Sequence, residues 1–286
     1  MARVSLPQSK IKARRKKRRI ALASMVGAAL LVILALVVWL CNASFLRITT
    51  INVTGETTLN ASDIANETLQ DIAGSYLYVF PKNNIFLYPK FKTEADLAQQ
   101  MPTIAKVTVE AKDFHTLQVV VTERARKALW CGGSAADAGP CFWLDQDGVA
   151  YAAASDLSLS LEATSSYEKY YGALTGNTPQ NYLTPDQFHS LSALVDALEQ
   201  KQLNNPITSI EVDGAGDVRV TFADNFVLIF SLSDAGADVY SRFLLVLGSD
   251  AFAGHSLADF AYLDLRFGDK VYYKLRTSGT PATSNQ

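Results

Sequence analysis

An uncharged apolar stretch near the N-terminus constrains the fold of this chain more than any other feature. It runs from Ile20 to Leu40, 21 residues without a charged side chain and without Asn, Gln or Pro. As a helix it would be about 31 Å long, which matches the roughly 30 Å hydrocarbon core of a bilayer. In lipid, a single segment satisfies its own backbone hydrogen bonds only as a helix. The sequence therefore predicts a transmembrane helix over 20–40, with Trp39 at the far interface.

The charges on either side of this stretch predict its orientation. Residues 1–19 carry nine Lys and Arg residues and no acid, whereas Arg47 is the only charged residue between the helix and Glu56. The positive-inside rule then makes 1–19 a cytoplasmic tail and places the rest outside, as in a type II single-pass protein of the cell (inner) membrane. A cleaved signal peptide is the competing interpretation, but its apolar region normally spans only about 7–15 residues. A lipoprotein signal ending at Cys41 would need a small residue where Leu40 stands.

The overall charge balance hides an asymmetry between the two sides of the membrane. Of the 26 Lys and Arg residues, nine precede the helix, so the remaining 17 accompany 28 acidic residues, a net charge of −11. Nucleic-acid binding depends on neutralising phosphates with basic side chains. The extracytoplasmic part is therefore not expected to bind nucleic acid.

Two of the three cysteines are spaced as in a bridged hairpin. Cys131 and Cys141 lie in the extracytoplasmic part, between the strand-like segments ALW and FWLD. We predict a disulfide between them, which is the form favoured outside the cytoplasm. Two free thiols or a metal pair are the alternatives, although no His or further Cys lies near enough in sequence to complete a metal site.

Periodicity predicts a small α+β domain over 45–124. The order is strand, helix, helix, strand, strand, and the first strand ends at Gly55. The first helix is expected to bury Ile64, Leu69 and Ile72, and the second to be capped by Thr93. The aromatic segment between the helices reads as a packed loop with short extended pieces.

The region 127–276 is predicted to be a strand-rich β domain with flanking helices. Asp147-Gly148 marks a hairpin turn, and Thr184 with Gln187 marks the capped start of a helix. Three strands, a helix over about 235–247 and a closing strand pair follow, and 277–286 has the composition of a disordered tail. Between about 152 and 182 the pattern predicts only loop and short pieces.

No residue pattern in the chain predicts catalysis. Asp145, Asp147 and Gly148 fit a hairpin turn better than a calcium loop, which would need a Glu at its end. His115, His189 and His255 lack the spacing of metal ligands. We therefore predict that the chain is not an enzyme and has no cofactor, metal or small-molecule substrate.

An ordered set of motifs follows the N-terminal apolar helix: INVTG, MPTIAKVTVEAKDFHTLQVVVTER, FWLDQDGVAY and AYLDLRFGDKVYYKL. This set resembles the FtsQ/DivIB family of bacterial cell-division proteins, and the likeness spans about residues 20–275. His115 and Arg126 stand near positions where the family usually has Pro. The resemblance implies an α+β protein with a single N-terminal transmembrane helix, a polypeptide-transport-associated (POTRA) domain of order β-α-α-β-β over 45–124, and the β domain.

The resemblance also implies a function. It predicts a non-enzymatic bitopic scaffold of the divisome, located at the division septum. Such a scaffold would recruit or link FtsB/FtsL-like partners and regulate septal peptidoglycan synthesis through its extracytoplasmic domains. A membrane-anchored cell-envelope enzyme, or another envelope assembly factor, is the alternative from a different class.

The last predicted strand, Val271–Leu275, is the expected partner site. No later element is predicted to pair with its outer side, so it should be a sheet edge, which can accept a partner strand. The competing interpretation is that Tyr272 and Tyr273 simply alternate between core and solvent. The resemblance favours partner binding at the closing strand pair, and the expected contacts are Phe267, Val271, Tyr272 and Tyr273. Arg266 is instead expected to pair with an acid within the fold.

Overall fold

The computed structural model describes residues 8–157, 166–174, 176–201 and 205–276. The chain divides into two compact units between Glu123 and Arg124. The predicted disordered tail at 277–286 and the first seven residues of the basic tail lie outside the described residues.

The first helix, α1 (Gln8–Cys41), carries the apolar stretch. Between Ile20 and Leu40 its side chains are uncharged, apolar except for Ser24, and almost all exposed. The part from Arg15 to Cys41 is long and apolar enough to cross a membrane, consistent with a single-pass membrane protein. The helix itself begins before the predicted transmembrane stretch of 20–40, because Lys and Arg are good helix formers and let it extend back through the basic segment.

The part of the first unit that follows this helix in sequence is a mixed α+β layer. A three-stranded sheet of order β1-β5-β4 has β1 parallel and β4 antiparallel to β5. Two helices pack on it, and between them lies a two-stranded hairpin, β2–β3, that the sequence analysis did not resolve. The elements are β1 (Thr50–Thr54), α2 (Ala61–Asp71), β2 (Ser75–Tyr76), β3 (Phe80–Pro81), α3 (Lys90–Gln100), β4 (Ile104–Ala111) and β5 (Thr116–Glu123).

Three details of this unit bear on the predictions. Gly55 ends β1 as predicted: its φ is 91°, and a Cβ there would lie 2.2 Å from the carbonyl oxygen of Val121, so only glycine fits. Leu69 was wrongly predicted to be buried, since Ile64, Thr68 and Ile72 form the inner face of α2. Thr93 is not a cap either, because α3 begins three residues earlier at Lys90.

The carboxylate of Glu123 holds the loop that follows β1. It accepts hydrogen bonds from the backbone amides of Thr57 (2.6 Å), Thr58 (2.9 Å) and Leu59 (3.0 Å), and from both threonine hydroxyls. Burial opposes ionisation of Glu123, but these hydrogen bonds, led by the one from the Thr58 side chain, outweigh it and lower its pKa to about 2. The last strand of the unit is thereby fastened to the turn after the first.

Replacing Glu123 with Gln is expected to lower the unfolding free energy of this unit by about 1–3 kcal/mol at neutral pH, because an amide offers one acceptor oxygen and places a donor among donors. The folded-state pKa lies below the ordinary 4.5, so the stabilisation is complete above pH 4.5 and is lost as the pH falls towards 2. The parent and the variant should therefore converge in thermal stability at acid pH. A difference in circular-dichroism melting that stayed constant down to pH 2 would contradict this account.

The second unit is organised around a ten-stranded mixed sheet of order β10-β8-β7-β6-β9-β11-β12-β13-β14-β15. Parallel pairing joins β9 to both β6 and β11, and β13 to β14. The strands are β6 (Ala128–Trp130), β7 (Phe142–Leu144), β8 (Val149–Ala153), β9 (Lys169–Gly172), β10 (Gln180–Asn181), β11 (Ile207–Val212), β12 (Asp217–Phe222), β13 (Val227–Ser231), β14 (Phe260–Phe267) and β15 (Lys270–Leu275).

Two helices cover one face of this sheet, α4 (Pro185–Gln200) and α5 (Gly236–Leu247). The capping box between Thr184 and Gln187 at the start of α4 is confirmed. The main core lies between these helices and the sheet and contains Phe188, Phe243 and Leu263. Successive side chains along a strand point to opposite faces of the sheet. Leu129 and Tyr171, each next in sequence to a residue of the main core, therefore form a smaller cluster around Trp143 on the opposite face.

Candidate partner-binding site

The hairpin β14–β15 lies at one end of the ten-stranded sheet, and β15 is one of its two edge strands, with β10 at the other end. β15 pairs with β14 and with no other strand among the described residues. The predicted edge position of the last strand is therefore confirmed. Gly268 and Asp269 form the turn, with Gly268 at φ 62°. The four residues predicted to contact a partner lie on this hairpin, at the end of β14 and along β15.

Aromatic side chains stand on both faces of the edge strand. Phe267, Tyr272 and Tyr273 are 53%, 51% and 44% exposed, so the competing interpretation, with one tyrosine buried and one in solvent, is wrong. Tyr272 contacts Phe267 edge to face, with ring centroids 5.0 Å apart. Tyr273 faces the helices and packs one edge against the rings of Phe252 and Phe260. Large aromatic surface beside unpaired backbone groups is suited to binding another chain.

A groove beside β15 adds apolar surface to the edge. Its volume is about 450 Å³, and it lies between the second half of α5, a 3-10 turn at Asp250–Phe252, and the β14–β15 hairpin. Leu245 lines it and is 74% exposed, together with Val246, Val271 and Tyr273. Sequence reasoning missed this groove. Its one signal was Leu245, an apolar residue outside the buried stripe of a helix whose inner face is formed by Val239 and Phe243.

An ion-pair network fixes the end of β14. The guanidinium of Arg266 binds the carboxylate of Asp264 at 2.6 Å and also pairs with Asp217 at the start of β12. Burial opposes ionisation of Asp264, but the hydrogen bonds from Arg266 outweigh it, so that the pKa of Asp264 falls below its usual range. The hydrogen bond to Asp264 and, to a smaller extent, the one to Asp217 raise the pKa of the Arg266 guanidinium. Arg266 therefore pairs within the fold, as predicted, and its guanidinium lies over the ring of Phe267.

The outer strand itself is basic. Lys270, Lys274 and Arg276 are exposed along β15 and directly after it. Lysines on an edge strand discourage pairing between identical sheets.

The cysteine pair and the Asp145–Gly148 turn lie towards the other end of the same sheet. Cys131 and Cys141 are joined by a disulfide. The carboxylate of Asp145 accepts hydrogen bonds from the amides of Asp147 and Val149, both at 2.9 Å, which is a hairpin-turn arrangement rather than a calcium loop. Among the described residues, no group of three His, Cys, Asp or Glu side chains could hold a metal ion.

Loss of the disulfide is expected to destabilise the second unit. A chain carrying both Cys131→Ser and Cys141→Ser should lose about 2–3 kcal/mol, since the short closed loop no longer restricts the unfolded chain. Cys41→Ser is the matched control and should melt like the parent. Mass spectrometry of a non-reduced digest checks the bond directly, and finding both cysteines as free thiols would refute the prediction.

No protein-family model matches this chain, and a search of curated proteins also gives no match.

Proposed function

We propose that this chain is a non-enzymatic scaffold of the bacterial divisome, anchored by α1 and binding other division proteins outside the cytoplasm. The basic segment before the apolar helix supports a cytoplasmic N-terminus under the positive-inside rule. The strand and helix order of the first unit supports a POTRA-like domain. The sequence resemblance to FtsQ/DivIB adds the division septum as the location.

The observation that carries this proposal is the open edge of the ten-stranded sheet. The outward-facing backbone groups of β15 pair with no strand among the described residues, and with Phe267, Tyr272 and Tyr273 beside them they offer main-chain hydrogen bonds and aromatic anchors together. In β-augmentation, a partner strand takes up those hydrogen bonds while neighbouring pockets select its side chains. The groove lined by Leu245 and Val271 is the pocket available to this partner.

FtsB-like and FtsL-like membrane proteins are the proposed partners, with the FtsB-like protein on β15. The cations Lys270, Lys274 and Arg276 favour a partner segment of acidic or neutral character. Through these partners the scaffold would regulate septal peptidoglycan synthesis.

Affinity capture from bacterial membranes tests the proposal. The full-length chain with a tag should retain FtsB-like and FtsL-like proteins, identified by mass spectrometry. A variant carrying Phe267→Asp and Tyr272→Asp should lose the FtsB-like protein, whereas Val120→Asp, at an exposed strand position of the first unit, should keep it. Failure of the parent to capture any division protein would refute the scaffold. Peptidoglycan hydrolysis by the purified extracytoplasmic part, free of captured proteins, would instead favour the envelope-enzyme alternative.

A further inference from the structure

The first unit is fastened directly to the outer end of the membrane helix. The buried side chain of Asn84 donates to the carbonyl of Cys41 at 2.8 Å, and the side chain of Asn42 donates to the carbonyl of Val79 at 3.0 Å. The amide of Ile85 donates to the carbonyl of Leu46 at 2.9 Å. Residues that follow α1 are thus bonded to the loop carrying the β2–β3 hairpin. Asn42, the residue bonded to Val79, lies only two residues beyond the end of the apolar stretch at Leu40, which is about 3 Å of helix rise.

The topology brings further segments to this same end of the unit. β1 starts shortly after the helix, and β5 runs parallel to it, so the β4–β5 turn at 112–115 lies at the same end. The amides of Thr49 and Thr50 donate to the carbonyl of His115. The start of α3 is also here, since Lys90 lies 3.8 Å from Glu110, next to the last residue of β4.

Large apolar side chains are concentrated on this end and exposed. Leu77 and Tyr78, at the tip of the hairpin, are 83% and 100% exposed. The rings of Phe86 and Phe114 contact each other with centroids 6.4 Å apart, yet both remain exposed. The full set is Phe45, Tyr76, Leu77, Tyr78, Val79, Phe86, Phe91 and Phe114. Soluble surfaces rarely gather so many exposed apolar side chains without a binding partner.

The backbone of the β2–β3 turn is strained at Leu77 and Tyr78, the two exposed residues at its tip. The amide of Val79 bonds to the carbonyl of Tyr76 at 3.1 Å, and the two central residues have φ of 49° (Leu77) and 61° (Tyr78). This type I′ geometry strongly favours Asn-Gly or Gly-Gly. Bulky residues at positive φ are outliers that persist where other requirements select them. Here that requirement cannot be packing within the unit, because both side chains point into solvent.

We propose that this end of the first unit inserts into the lipid interface of the outer leaflet, with Leu77 and Tyr78 as its deepest residues. The membrane is the occupant because the patch is continuous with the helix that crosses it. Tyrosine and other aromatic side chains favour the headgroup level of a bilayer. Arg47, Lys82 and Lys112 lie among the apolar residues, at positions suited to lipid phosphates. The inference depends on α1 spanning the membrane and is independent of any division partner.

Spin labels on the full-length chain in lipid nanodiscs test this insertion. On a Cys41→Ser background, kept non-reducing to preserve the Cys131–Cys141 disulfide, labels are placed through Tyr78→Cys and, as the control, Ser62→Cys. Ser62 is exposed at the start of α2, near the opposite end of the sheet. The nanodiscs contain phosphatidylethanolamine and phosphatidylglycerol. Molecular oxygen partitions into lipid, whereas a nickel chelate stays in water. The ratio of spin-label relaxation by oxygen to relaxation by the chelate should therefore be several-fold higher for the label at 78 than for the label at 62.

Two outcomes would overturn the proposal. A label at position 78 that is as accessible to the nickel chelate as the one at 62 would show that the tip remains in water. Spin–spin broadening at 78 that disappears on dilution with unlabelled chain would show that a second copy, and not lipid, covers it. Folding is not at risk in this test, because the Tyr78 side chain is fully exposed.

Discussion

Replacing Tyr273 with proline is expected to weaken capture of the proposed FtsB-like partner by about tenfold or more while the second unit still folds. The variant removes one backbone donor from the edge of the sheet. A hydrogen bond of this kind contributes about 0.5–1.5 kcal/mol, close to a factor of ten in affinity at its upper end. The proline ring also occupies the space in which a partner strand would lie.

The backbone geometry identifies Tyr273 as the appropriate position. The amide of Arg276 donates to the carbonyl of Asp259 at 2.8 Å, so it faces β14. Amides of an antiparallel strand point alternately to its two sides. The amides of Lys274 and Tyr272 therefore face β14, and those of Tyr273 and Val271 face away from the sheet. Proline at Tyr272 would remove a bond of the ladder instead and should destabilise the fold.

Tyr273→Ala is the matched control, because it removes the same ring contacts with Phe252 and Phe260 but keeps the amide. Titration of a synthetic partner segment, followed by calorimetry, should show a larger loss for proline than for alanine. Circular dichroism establishes that both variants are folded. If the proline variant is folded and binds as well as the alanine variant, the augmentation of β15 is wrong.

The features of the chain that could be predicted are those whose signals are local. The apolar run of α1, the capping box of α4 and the Asp147-Gly148 turn each depend on residues close in sequence. The edge position of β15 could also be predicted, since no strand pattern follows it. The buried face of α2 was predicted less accurately. Leu69 was predicted to be buried, but the buried residue is Thr68, one position earlier and about 100° away around the helix.

Elements and surfaces that depend on distant residues could not be predicted. β9 lies in the middle of the large sheet, between β6 and β11, yet its four residues, Lys169–Gly172, show no length or periodicity that distinguishes them from loop. Its place is decided by Tyr170 and Tyr171 packing on opposite faces of the sheet. The groove beside β15 is likewise formed by α5 and a 3-10 turn that meet only in the folded chain.

Arg266→Leu is expected to have the largest effect on stability, about 3 kcal/mol. Breaking a buried ion pair by removing one partner costs roughly 3–5 kcal/mol, because the other charge remains buried. The lower end applies here, since the side chain of Arg266 is 30% exposed and that of Asp264 only 7%. Adding Asp264→Asn to the variant removes the remaining charge and should restore part of the loss. Thermal and urea unfolding of the single and double variants measure both effects.

The pH dependence of the stability loss in Arg266→Leu distinguishes an unpaired buried carboxylate from a simple loss of packing. In the parent, the depressed pKa of Asp264 gives stability that is present above the ordinary value of 3.8 and is lost as the pH falls below it. In the Arg266→Leu chain, burial still opposes ionisation while the guanidinium is gone, so the pKa of Asp264 should rise and protonation should relieve the penalty. The stability difference between parent and variant should therefore shrink as the pH falls from neutral through about 3.8. A difference that is independent of pH over that range would mean that packing against Phe267, and not the buried carboxylate, accounts for the role of Arg266.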